Sequence, residues 1–139
     1  MPLFLQRDDV IHYHEEQLRL SRGLPGIRDS DLLDSALAGP KQLFRYDGNA
    51  DLFDIATAYA FHISQNQAFN DGNKRTGLQA AIAFLKGNGY AVETSEEHLF
   101  EWMLQLVQRQ LSIANFSRKL CACSIREGGL TALIRRLFP

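Results

Sequence analysis

A chain of 139 residues, 45% hydrophobic and 22% charged, is long enough to bury one core and too apolar to be disordered. Its net charge of −1 speaks against a general nucleic-acid binder and leaves room only for a local basic patch. No apolar run is long enough to cross a bilayer, and the opening MPLFLQRDDV is too short and too acidic for a signal peptide, so a cytoplasmic protein with no membrane contact is expected.

The first predicted element is RDDVIHYHEEQLRL, an acidic helix start with Val10, Ile11, Tyr13, Leu18 and Leu20 on an imperfect apolar face. SRGLPGIRD interrupts it with two glycines and a proline. Ser30 then caps a short helix, DLLDSALA, which Gly39-Pro40 should end, and KQLFRYDGNA reads as loop. From Asp51 the pattern is strongly helical: Leu52, Ile55, Ala56, Tyr59, Ala60 and Ile63 share one face, with alanines small enough for close helix approach. After a break at residues 69–72, a second helix runs from about Lys74 to Lys86, capped by Asn73 and stopped by Gly87. Thr94 and Glu97 form a capping box for a helix whose face is Phe100, Met103, Leu104 and Val107. Another helix is expected over residues 113–120, and a short basic one after Gly128-Gly129. No clear strand is evident, with residues 3–5 as one possibility. The domain is expected to be all-α.

The break between the two central helices carries the chemistry. In FNDGNKRT, Gly72 lets backbone approach a ligand, and the next helix offers free N–H groups and a dipole that favours an anion. Lys74 and Arg75 oppose that dipole, which makes sense if an anion binds between them. Asp71 would hold a magnesium ion bridging phosphate oxygens, Phe69 would anchor the loop in the core, and Asn73 would cap the helix and donate to a phosphate. A plain turn followed by solvated cations is the competing interpretation.

Residues 67–76, QAFNDGNKRT, resemble the signature H-x-F-x-D/E-G/A-N-K/G-R of the Fic/Doc family, and most closely its death-on-curing (Doc) branch. Phe69, Asp71, Gly72, Asn73, Lys74 and Arg75 match position by position, and the similarity covers roughly residues 4–120. The resemblance implies a single-domain Fic fold of about six helices, with a central antiparallel pair carrying the active-site loop. It places that domain at residues 1–120 and leaves 121–139 as a C-terminal helical extension. It further implies ATP and Mg2+ as cofactors, with Asp71 on the metal and Phe69, Gly72, Asn73, Lys74, Arg75 and Thr76 at the nucleotide. The implied reaction is phosphoryl transfer from ATP to a protein hydroxyl, with a translation elongation factor as target. The implied partner is a small antitoxin whose disordered C-terminal segment folds on this protein.

Two positions depart from the family pattern. Leu78 stands where adenylylating members have a second arginine, which favours the kinase over the adenylyltransferase alternative. Gln67 stands where the family has its histidine base, and an amide has no useful basicity. Impaired transfer is therefore expected, from either a natural or a deliberate change. A silent nucleotide- or protein-binding module and a plain helical interaction protein are the non-enzymatic alternatives.

Other residues carry weaker signals. His62 is expected in the core or behind the site, His12 and His14 on different sides of their helix, and His98 at the surface. Arg126, Arg135 and Arg136 complement a helix dipole better than they bind nucleic acid. Arg28 and Asp29 are either a flap over the site, as the resemblance implies, or simple loop packing. Cys121 and Cys123 are expected to be reduced, because near neighbours rarely bridge and two thiolates do not complete a zinc site.

Overall fold

The computed structural model describes residues 1–127 and Leu137. Among them are six helices: α1 (Arg7–Ser21), α2 (Ser30–Tyr46), α3 (Leu52–Asn66), α4 (Asn73–Gly87), α5 (Glu96–Val107) and α6 (Ile113–Ala122). Two short strands, β1 (Tyr90–Val92) and β2 (Ser124–Arg126), pair antiparallel with Ala91 opposite Ile125. The strand expected as a possibility at residues 3–5 is absent; its backbone is instead held by the Asn88 side chain and the Tyr59 hydroxyl. Cys121 and Cys123 are free thiols. The basic helix expected after Gly128-Gly129, with Arg135 and Arg136, lies outside the described residues.

α3 is the central helix. Phe53, Ile55, Ala56, Tyr59, Ala60 and Ile63 are buried, and α2, α4, α5 and α6 all pack against it. α4 crosses it closely, because Gly77 has no side chain: a Cβ there would lie 2.8 Å from the Ala60 carbonyl oxygen. Ala60 and Gly77 stand at similar removes on either side of residues 67–72, so the two helices are antiparallel and the short connection is thrown to one end. On the other flank, Gly39 of α2 meets the His62 imidazole of α3, 2.4 Å from where a Cβ would be.

Four local expectations are corrected by the structure. α2 does not stop at Gly39-Pro40 but continues to Tyr46. Its buried stripe of Leu33, Ala36, Leu37 and Pro40, extended by Leu43, offsets the roughly 3 kcal/mol that an interior proline costs a helix. Its N-cap is Asp29, whose carboxylate accepts from the Leu32 N–H, and not Ser30. α5 is capped by Ser95 and not Thr94, and its buried face is Leu99, Met103 and Leu106. That rotation turns Phe100 and Val107 away from the core centre and toward the loop between α3 and α4.

Candidate functional site

The connection between α3 and α4 is built around two left-handed residues. Gln67, at the C-terminus of α3, has φ 50° and ψ 47°. Gly72, which precedes α4, has φ 76°. Between them much of the backbone is engaged. Arg28 donates from Nε and Nη2 to the Gln67 carbonyl at 3.0 and 2.7 Å. The Arg28 and Asp29 N–H groups both donate to the Ala68 carbonyl, Ile27 bridges Phe69, and Asn70 bonds Pro25 and Gly26. Arg28 and Asp29 thus belong to a segment, residues 23–29, that is laced along the loop.

Each predicted site residue has a definite place. Phe69 is buried as the anchor, its ring stacked on His14 at 3.8 Å. His14 Nε2 also meets the Asp71 carbonyl oxygen at 2.8 Å. The Asp71 carboxylate is exposed; Oδ1 accepts from the Gly72 N–H at 3.0 Å and Oδ2 from the Leu24 N–H at 3.4 Å. Asn73 does not cap α4. Its amide folds back across the turn, accepting from Phe69 N–H and donating to Phe69 carbonyl, both at 3.1 Å. Gly72 is the N-cap instead, and the first intrahelical bond is from Thr76 N–H to Gly72 carbonyl. The N–H groups of Asn73, Lys74 and Arg75 are therefore the free ones at this helix end.

Gln67, Asp71, Gly72, Asn73, Lys74 and Arg75 line one open cavity of about 700 Å³, together with Ser64, Gln65, Asn70, Phe100 and Val107. Phe69 and Thr76 do not line it. Both are buried, Phe69 because it anchors the loop and Thr76 because the first turn of α4 rotates it onto the core. Contact with a bound nucleotide is thus closed to the Thr76 side chain. Its hydroxyl has no hydrogen-bond partner among the described residues.

The electrostatics of the cavity are one-sided. Lys74 and Arg75 are exposed and form no ion pair among the described residues, and both stand at the positive end of the α4 dipole. The Arg75 guanidinium instead lies over the Phe100 ring, 4.4 Å from its centroid. Among the described residues Asp71 is the one carboxylate on the cavity wall. Among the described residues no group of three or more His, Cys, Asp or Glu side chains could hold a metal ion. This donor set suits a hard cation carried in with a polyphosphate, since Mg2+ keeps waters and takes one or two protein carboxylates alongside phosphate oxygens.

Several contributors gave no sequence signal. His14 lies far from the motif in sequence, yet it supports both Phe69 and Asp71. Phe100 and Val107 fall on the apolar face expected for α5, and half-rotated out of the core they form the cavity's apolar wall. His62 is half-buried on α3, and burial lowers its pKa below the usual histidine value. It is not among the residues that line the cavity. His98 is exposed and stacks on Trp102.

Comparison with known proteins agrees with this architecture. Residues 4–85 match the Fic/DOC family. The chain is 31% identical over 90 residues to "Protein kinase doc" of Escherichia phage P1, spanning 65% of this chain and 71% of that protein. It is 42% identical over 64 residues to "Toxin Doc" of Mycolicibacterium smegmatis (strain ATCC 700084 / mc(2)155), spanning 45% of this chain and 49% of that protein. The chain belongs to the Fic/DOC family, on its Doc-like side. No helix among the described residues is long and apolar enough to cross a membrane.

Proposed function

We propose that this protein is a Doc-like toxin of a toxin–antitoxin pair. Its cleft takes ATP with Mg2+ and is laid out for moving the γ-phosphoryl group to a protein hydroxyl. The observation that carries this is the pair of cations, Lys74 and Arg75, with no ion pair among the described residues, on the first turn of α4 and lining the same cavity as Asp71. Free N–H groups, two side-chain cations and a helix dipole converge where a polyphosphate would develop and hold charge. Both relatives carry the name Doc, one as a kinase and one as a toxin.

Within this scheme Asp71 binds Mg2+, while Lys74, Arg75 and the N–H groups of residues 73–75 neutralise the phosphates. Mg2+ supplies charge neutralisation between phosphate oxygens when bound. Gln67, at the loop's left-handed corner, lines the cavity, and the resemblance puts the family's histidine at this position. It can orient a target hydroxyl by hydrogen bonding but cannot take its proton. Loss of a general base typically costs about 10²–10⁴-fold in rate. The protein therefore binds ATP and transfers poorly, if at all.

The partner is a small antitoxin with a disordered C-terminal segment, and the target is a translation elongation factor in the cytoplasm. Nucleic acid is not a direct ligand. A second class, the silent binding module, is kept alive by the same non-basic Gln67. Calorimetry with ATP and Mg2+, followed by transfer from γ-labelled ATP in Gln67→His, separates them. Binding with transfer gained supports the toxin. Binding with transfer still absent leaves the silent module. Label retained from α- rather than γ-labelled ATP identifies adenylyl transfer. No heat with either protein overturns the nucleotide site.

A further inference from the structure

Phe100 lies on α5, outside the residues matched to the family, yet it forms one wall of the cavity. The Arg75 guanidinium sits over its ring at 4.4 Å from the centroid. This pairing is specific in its consequences. An exposed arginine on a first helical turn has several rotatable bonds and, among the described residues, no carboxylate to hold it. Solvent alone would leave its head distributed over many positions. An aromatic face favours a stacked guanidinium, and stacking occupies the plane of the group without using its N–H donors, which radiate from the edge. Phe100 therefore restrains Arg75 while leaving its hydrogen-bonding fork open.

We propose that Phe100 is a positioning residue that holds Arg75 ready for the anionic end of the cavity ligand, a nucleoside triphosphate with Mg2+. This inference rests on the nucleotide site argued above. It adds a residue on a helix that follows the motif by more than twenty positions, and it assigns that residue to orientation of the cation and not to contact with the ligand. α5 itself is anchored by buried Leu99, Met103 and Leu106, so Phe100 stands on a rigid support. Such support allows a ring to preorganise a side chain instead of following it.

The test is a double-mutant cycle on ATP·Mg2+ affinity measured by calorimetry, using Phe100→Leu, Phe100→Tyr, Arg75→Ala and Phe100→Leu/Arg75→Ala, each first checked for folding by circular dichroism. Phe100→Leu should weaken binding about two- to five-fold, the usual size of an exposed cation–aromatic contact. Phe100→Tyr keeps an aromatic face and should restore native affinity. In the Arg75→Ala background, Phe100→Leu should have no further effect. An equal loss in both backgrounds would mean that Phe100 touches the ligand directly, and would overturn the proposal. So would unchanged affinity in Phe100→Leu. Native protein that binds ATP with no coupling between the two residues refutes this inference alone, whereas native protein that binds no ATP refutes the nucleotide site beneath it.

Discussion

The Nε2 atom of His14 meets the carbonyl oxygen of Asp71 at 2.8 Å, and the same imidazole stacks on Phe69 at 3.8 Å with the planes 10° apart. A carbonyl can only accept, so Nε2 carries the proton. One buried side chain of α1 thus braces both the anchor of the loop and the backbone of its acidic residue. His14→Ala removes a bond and a stacked ring from a site that cannot refill, and should cost about 2–4 kcal/mol in urea unfolding. His14→Phe keeps the stack and loses the bond, and should cost about half as much. Equal losses for the two variants would mean that the hydrogen bond alone matters.

Gly23 controls the Asp71 carboxylate from the other side. A Cβ at position 23 would lie 2.8 Å from Asp71 Oδ2 and 3.0 Å from Leu18 Cδ2, both far ends of side chains that can swing away. Gly23→Ala should leave the unfolding midpoint nearly unchanged. It should weaken the Mg2+-dependent part of ATP binding by about ten-fold, as outer supports of metal ligands typically do. Calorimetry with and without Mg2+ reads both terms, and an undiminished Mg2+ effect would remove Asp71 from the metal.

Gly77 and Gly87 sit in the same helix with opposite surroundings. A Cβ at 77 would press on the Ala60 carbonyl at 2.8 Å, whereas at 87 it would meet nothing within 4 Å. Alanine is better than glycine in a helix by about 1 kcal/mol, and overpacking costs about 1–3 kcal/mol. Gly77→Ala should therefore destabilise by up to about 2 kcal/mol, while Gly87→Ala should be neutral or slightly stabilising. Thermal unfolding of the two variants in parallel checks the contrast.

His62 makes stability depend on pH. Burial against α2 favours the neutral ring and lowers its pKa from the ordinary 6.5. The unfolded chain therefore binds a proton more readily than the folded one. Stability from this group is complete above pH 6.5 and falls as pH drops through the folded-state value. The unfolding midpoint of the native protein should decline over that range more steeply than that of His62→Gln. Parallel slopes would show that His62 is too solvated to matter.

The helices and the motif loop were legible because their signals are local. Spacing of apolar residues located α1, α3, α4, α5 and α6, and the run from Phe69 to Arg75 marked the break between the two central helices. Where local rules competed with packing, packing prevailed. Pro40 looked like a stop and became part of a buried helix face, and Asn73 looked like a cap and became a clasp across the turn. On α5 the expected face holds only at Met103, because Phe100, Leu104 and Val107 are spaced as regularly as the buried residues Leu99, Met103 and Leu106. Periodicity alone does not distinguish two adjacent apolar stripes.

The order of residues along the chain was enough to specify a mainly helical fold, its central pair and the family motif in the turn between them. Each follows from neighbours a few positions apart. The supports of that turn were decided only by the folded arrangement. His14 reaches Asp71 across 57 residues, Leu24 across 47, and Arg28 reaches Gln67 across 39. No short-range pattern encodes a contact of that separation, because it exists only once separate helices have packed and closed the intervening chain.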